Sequence, residues 1–216
     1  RLGAVVRRAT LEGAPVFEVT KLELEALTQG AVHQGVAMEI AAYDYADALE
    51  LLDRVSATGR KPLFIALDQV TDPHNLGAVL RSAGAFGADG VIIPQRRSAD
   101  VNATVWKVSA GAAARVPVAK ETNLVRTLEA FKARGCFVVG LDGNASVSVD
   151  NLNLADQPLV LVTGAEGKGL SRLVRETCDE IASINIRAAV ESLNAAVATG
   201  IALYEVDRVR RTTQGN

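Results

Sequence analysis

The sequence predicts an α/β fold built on a mostly parallel sheet with helices on both faces. Two observations carry this expectation. Short runs that are apolar at nearly every position, LFIAL (63–67), GVIIP (90–94), CFVVGL (136–141) and LVLVTG (159–164), recur from residue 61 onward. A strand covered on both faces reads as such an unbroken run rather than as an alternation. Segments with helical spacing lie between these runs, and strands alternating with helices point to parallel βαβ connections.

Taken in order, residues 1–42 read as a short helix, a strand at 15–19, a helix at 21–28 and a strand around 36–40. Four elements in so short a stretch bury little apolar surface, so this region is expected to be the remnant of a larger module. Residues 43–60 hold one amphipathic run, ALELLDRV, stopped by Thr58-Gly59, and are expected to be a linker to the domain at 61–216. In that domain the strand at 63–67 leads through a polar loop, 68–74, to a helix at 75–86, and GVIIP forms the second strand. Helices are expected at 103–113 and 123–134, the latter stopped by Gly135, and CFVVGL and LVLVTG supply the third and fourth strands. A helix at 171–177, a strand at 181–186 and a final helix at 192–208 complete the set. In the final helix Leu193, Ala196, Val197, Gly200, Ile201 and Tyr204 form one apolar stripe at helical spacing.

Composition narrows the function. With 49% hydrophobic residues among 216, a packed core is within reach and wholesale disorder is excluded. No apolar run approaches the roughly 18–20 residues of a membrane-spanning helix, and no signal peptide is visible, so no membrane partner is expected. Two cysteines, Cys136 and Cys178, are too few for a disulfide framework, and a reducing cytoplasm is the expected compartment. Neither has an adjacent histidine, which argues against a catalytic thiol, and His33 and His74 lack partners at metal-ligand spacing, so no metal is expected. The net charge of −2 carries no global signature of nucleic-acid binding. The local clusters Arg7/Arg8, Arg96/Arg97 and Arg208/Arg210/Arg211 read as solvated surface.

Ligands of open α/β sheets bind beyond the carboxyl ends of strands. Three segments of the chain lie there. DQVTDPHNLGAVLRSAGAFG (68–87) follows the first core strand; Asp72-Pro73 makes a turn, Asn75 is a candidate helix cap, and Arg81 lies six residues further on. LVTGAEGKGLS (161–171) places three glycines within six residues between a strand and a helix. Glycines there let backbone approach a ligand, although the spacing is neither that of a dinucleotide turn nor that of a P-loop. SINIRAAVESLNAAVATGIALYE (183–205) runs from a strand through a short loop to a helix for which Ser192 is the expected N-cap.

Together the three segments resemble the three motifs of the SpoU (TrmH-like) branch of the SPOUT superfamily. The matching residues are Asp72-Pro73, Asn75, Leu76-Gly77, Arg81 and Phe86-Gly87, then Gly164, Glu166-Gly167 and Gly169-Leu170-Ser171, and finally Ile184, Ser192-Leu193-Asn194, Gly200-Ile201 and Tyr204-Glu205. VHQGVA (32–37) and KVSAGA (107–112) followed by VPVA most resemble the subgroup of 23S rRNA guanosine 2′-O-methyltransferases.

The resemblance implies an α/β knot (the SPOUT deep trefoil knot) in which the segment at about 159–204 is threaded through a loop of the chain. Residues 1–42 would be part of an L30e-like RNA-binding domain. It implies S-adenosyl-L-methionine (AdoMet) as cofactor, at Thr163, Gly164, Ile184, Ile186 and Leu193, and a homodimer with active sites near the subunit interface. The implied partner is rRNA, 23S favoured, and the implied reaction is methyl transfer to a ribose 2′-hydroxyl. Arg81 would be the essential arginine; because a guanidinium stays protonated, it would clamp phosphate and stabilise the developing alkoxide rather than act as a base. Asn75, Glu166, Ser192 and Asn194 would orient the ribose and Arg81. Two positions depart from the family pattern: Asn185 stands where proline is usual and Ala188 where glycine is usual. The alternatives are a 2′-O-methyltransferase of tRNA or of another rRNA nucleotide, and a knotted RNA-binding protein with impaired catalysis.

Overall fold

The computed structural model describes residues 2–187 and 192–214. It divides into two units, residues 1–42 and 43–216.

The first unit holds two helices, α1 (Leu2–Leu11) and α2 (Lys21–Leu27), neither with a buried residue. Helix α2 starts with a capping box: the Glu23 N–H donates to Thr20 Oγ1 at 3.3 Å and the Thr20 N–H donates to Glu23 Oε2 at 2.7 Å. The strands expected at 15–19 and 36–40 are absent; both segments lack strand structure, and most of their residues are exposed. A strand needs a ladder partner, and the described residues of this unit supply none, so β-propensity alone leaves these segments irregular.

In the second unit residues 43–60 are not a linker. Helix α3 (Ala48–Ser56), capped by Asp47, buries Ala48, Leu51, Leu52 and Val55 in the same cluster as Phe64, Ile92 and Phe131. Before it, the Tyr43 and Tyr45 hydroxyls accept from the N–H groups of Val118 (3.0 Å) and Val101 (2.9 Å). These bonds fasten the segment to the domain it was expected only to approach.

The sheet follows the predicted class and is parallel throughout. Its strands are β1 (Leu63–Asp68), β2 (Gly90–Pro94), β3 (Val118–Glu121), β4 (Phe137–Leu141), β5 (Val147–Ser148), β6 (Leu159–Gly164) and β7 (Glu180–Ser183), in the order β3-β2-β1-β6-β4-β7-β5. Every residue of the central β1 and β6 is buried, as their unbroken apolar runs required. Alternate residues feed two cores. Leu63, Ile65 and Leu67 pack with α4 (Pro73–Ala85), α5 (Ala103–Val108) and α8 (Ala195–Gln214). Phe64 and Ala66 pack with α3, α6 (Leu124–Ala133) and α7 (Arg172–Thr177).

Local departures have local causes. β3, not foreseen as a strand, follows Pro117 and has only two fully buried residues, so its apolar signal is short. The helix expected at 103–113 stops at Val108, because Ala110 and Gly111 take positive φ values of 51° and 85° before a 3-10 turn, Ala112–Ala114. β7 stops at Ser183, leaving residues 184–187 as loop.

Helix α8 differs most from expectation. Its core-facing residues are Ala195, Ala196, Thr199, Ala202, Leu203 and Val206, all buried, whereas Val197, Ile201 and Tyr204 of the predicted stripe are exposed. Near its end Arg210, expected at the surface, donates to the carbonyls of Lys61, Pro62, Ala155 and Gln157. Four backbone acceptors satisfy a half-buried guanidinium that would otherwise be costly to desolvate. They also hold the helix against the amino ends of β1 and β6.

Candidate active site

The carboxyl ends of β4, β6 and β7 open onto one cleft of about 360 Å³, within the range of small-molecule sites. Its floor is the end of β6, and its walls are the loops after β4, β6 and β7. All five predicted cofactor positions, Thr163, Gly164, Ile184, Ile186 and Leu193, line it, together with Glu166 and Ser192.

The loop after β6 turns tightly over this floor. An added Cβ at Gly164 would sit 2.1 Å from the Gly169 carbonyl carbon, so no larger residue fits. Gly169 has a φ of +65°, which glycine adopts without strain, and its N–H donates to Ala165 O at 2.8 Å, closing the turn. Where the loop ends, the Ser171 N–H donates to Asp68 Oδ2 at 2.6 Å. Asp68 is buried at the end of β1 and ties the loop down from the neighbouring strand.

Three of the five predicted catalytic residues meet beside the cleft. Asn75 Nδ2 donates to Glu166 Oε1 at 2.9 Å, and Asn194 Nδ2 donates to Asn75 Oδ1 at 2.8 Å and to Glu166 Oε1 at 2.5 Å. The Ala195 N–H adds a longer bond to the same Glu166 oxygen, 3.4 Å. One carboxylate thereby joins the segments after β1, β6 and β7. Charge-assisted bonds of this kind are among the stronger side-chain contacts.

This use of the two asparagines corrects the expected caps. Asp72 caps α4, accepting from the His74 N–H at 2.8 Å with Pro73 in the first turn, which frees Asn75 for Glu166. Asn194, not Ser192, caps α8: its Oδ1 accepts from the N–H groups of Ala196 (3.0 Å) and Val197 (3.2 Å). Ser192 is exposed on the cleft wall, outside the network.

Arg81 is not brought to this network. It is exposed on α4 and makes no hydrogen bond or ion pair with the described residues. Its neighbours Ala78 and Ser82 line a shallow apolar groove with Phe86 just after α4, the cap Asn194, and Val197, Gly200, Ile201 and Tyr204 on α8. The Phe86 and Tyr204 rings meet edge to face there, 5.8 Å between centroids. Asn194 thus stands at the seam between groove and cleft.

Other candidates resolve plainly. Asn185 Nδ2 donates to Ser148 Oγ at 3.0 Å, and Ala188 lies outside the described residues. Burial pushes the Cys136 thiol up to about 11 and the Cys178 thiol to about 12, leaving both protonated and unreactive near neutrality. Among the described residues no group of His, Cys, Asp and Glu could hold a metal ion, and no helix is long and apolar enough to cross a membrane. Sequence reasoning passed over Asp68 and Thr199; the signal for each was only a polar residue within an otherwise apolar segment.

Residues 62–204 match the SpoU rRNA Methylase family, and residues 1–46 match a domain described as RNA 2′-O ribose methyltransferase substrate binding. An uncharacterized tRNA/rRNA methyltransferase of Mycobacterium ulcerans is 50% identical over 213 residues, which are 98% of this chain and 68% of that protein. Among solved structures, the SpoU methyltransferase AviRb of Streptomyces viridochromogenes in complex with AdoMet superposes with a TM-score of 0.70 at 29% identity, covering 96% of this chain and 88% of that one. An AdoMet-bound rRNA methyltransferase of Sinorhizobium meliloti superposes with a TM-score of 0.74 at 26% identity, covering 96% and 77%. With the family match spanning the whole sheet and the three polar segments of the site, this chain belongs to the SpoU rRNA methylase family.

Proposed function

We propose that the chain is an AdoMet-dependent RNA methyltransferase acting on a ribose 2′-hydroxyl of 23S rRNA, with guanosine as the favoured target. The observation that carries this reading is the Asn75–Glu166–Asn194 network at the mouth of the cleft, which fixes the walls of a cofactor-sized site relative to one another.

The cleft fits the cofactor chemically. Ile184, Ile186, Leu193 and Leu141 offer apolar walls for an adenine ring, while Asp142 and Glu166 place carboxylates near a ligand that carries sulfonium and ammonium charge. When bound, AdoMet supplies a methyl group on an excellent leaving group. The protein must then align the ribose oxygen and favour loss of its proton. Asn75, Glu166 and Asn194 hold that geometry, Ser192 faces the ribose from the cleft wall, and Arg81 neutralises phosphate and developing alkoxide charge. Specificity for RNA follows, because the reacting group is the 2′-hydroxyl itself.

A homodimer belongs to the same reading. Val197, Ile201 and Tyr204 expose a contiguous apolar face on α8 beside Phe86, the kind of surface that a second copy covers. Arg81 is followed directly in the chain by Ser82, which lines the groove beside that face. The same reading makes residues 1–42 part of an L30e-like RNA-binding domain, threads the C-terminal segment as a knot, and places the protein in a reducing cytoplasm where Cys136 and Cys178 stay as thiols.

The test is transfer of labelled methyl from AdoMet to RNA of a strain lacking the enzyme, followed by nuclease digestion. Label in a 2′-O-methylguanosine of 23S rRNA is the expected result. Label only in tRNA or in another rRNA nucleotide supports the alternative target. RNA binding without label would replace the enzyme by a knotted RNA-binding protein.

A further inference from the structure

We infer that Thr199, a residue of α8 that does not line the cleft, is a positioning residue for the cofactor site and acts through Thr163; this rests on the cofactor reading above. The two hydroxyls are buried and 2.8 Å apart, joining the floor strand β6 to α8. Distance alone leaves the donor open. The rest of the network decides it. Thr199 Oγ1 also lies 2.7 Å from the carbonyl oxygen of Ala195, one turn back on its own helix. A hydroxyl has a single proton, and a carbonyl can only accept. The Thr199 proton is therefore committed to Ala195, and the proton between the two threonines belongs to Thr163.

The consequence falls on the cleft. Thr163 lines it with its hydroxyl proton already donated inward, so its free lone pair is what it can offer a ligand. Any bond from this hydroxyl to a ligand in the cleft would then be accepted, in one fixed orientation. That suits a ligand with polarised N–H or cationic groups, as AdoMet has, better than one presenting another acceptor. Were residue 199 unable to accept, the Thr163 hydroxyl would turn to seek another partner, and the fixed acceptor would be lost. The same pair ties the floor to the helix whose cap, Asn194, holds Glu166, so cofactor site and catalytic network share one support.

The experiment is a double-mutant cycle read by calorimetric binding of AdoMet, with thermal melting of each unliganded protein. Thr199→Val should weaken AdoMet by roughly five- to tenfold, the fold-change of one net hydrogen bond, and Thr199→Ser should restore affinity because it keeps the acceptor. Thr163→Val should weaken binding by a similar factor, and the double variant should lose no more than either single one. Should Thr199→Val fail to fold, Thr199→Ala takes its place in the cycle. Wild-type affinity in Thr199→Val, or additive losses in the double variant, would overturn the coupling while leaving the cofactor reading intact. Failure of the wild-type protein to bind AdoMet would overturn both.

Discussion

Asn194 performs two separable jobs, and substitutions can divide them. Its Oδ1 caps α8 through the N–H groups of Ala196 and Val197, while its Nδ2 donates to Asn75 and Glu166. Alanine removes both functions. A lost cap costs about 1 kcal/mol. A lost neutral hydrogen bond costs about 1 kcal/mol and one to a carboxylate about 2 kcal/mol. Because Asn194 is exposed, water replaces part of what is lost, and Asn194→Ala should destabilise the protein by about 2–3 kcal/mol. Serine caps nearly as well as asparagine but reaches neither partner, so Asn194→Ser should recover about 1 kcal/mol of that loss. Both remain well inside the roughly 5–15 kcal/mol that keeps a domain folded. Activity should divide differently. With Glu166 released, its loop can shift by a fraction of an ångström to about 1 Å, a displacement worth on the order of 10²-fold in rate. Urea unfolding and methyl transfer, measured on the two variants side by side, should show unequal stability and equally poor catalysis. A serine variant keeping more than half of wild-type turnover would refute the positioning role; one as unstable as the alanine variant would refute the cap.

Arg81→Ala should lower methyl transfer by at least ~10²–10³-fold, as for removal of one preorganised electrostatic group. Its stability should stay within about 0.5 kcal/mol of wild type, since the residue is exposed and unpaired among the described residues. The wild-type chain should sediment as a dimer and Ile201→Asp as a monomer, because a carboxylate on the exposed α8 face cannot be buried against a second copy without a partner; a wild-type monomer with full activity would sink the dimer. Stability should fall as the pH rises above about 9, the ordinary thiol value, because the unfolded chain loses the Cys136 and Cys178 protons there while the folded one holds them to about 11 and 12. Replacing both cysteines by alanine should flatten urea midpoints between pH 9 and 10, and an unchanged slope would contradict the burial argument.

Much of this molecule was decided locally and was therefore legible in the chain. LFIAL is apolar at every position and LVLVTG over its first four because both faces of β1 and β6 are covered, so the pattern alone identified central parallel strands. Asn75, Glu166 and Asn194 were recognisable as a set only through the resemblance of their segments to the SpoU motifs; read by itself, Asn75 was a candidate helix cap. What periodicity could not supply was the partner of each face. The stripe Val197, Ile201, Tyr204 and the buried face Thr199, Ala202, Leu203, Val206 run along the same helix, and hydropathy favoured the one that the fold leaves outside. Alanine and threonine are buried there because α8 lies close against β6, a fact of packing rather than of residue type. The run ALELLDRV has the same spacing whether it bridges two domains or, as α3, closes a core. Capping was undecidable for a similar reason. Ser192 and Asn194 are both good caps in isolation. The choice of Asn194 depends on Asn75, 119 residues earlier, and on Glu166, 28 residues earlier, being within reach of its amide. Hydrogen bonds between segments so distant along the chain exist only once the sheet has brought its strand ends together, and that is where tertiary structure made the site.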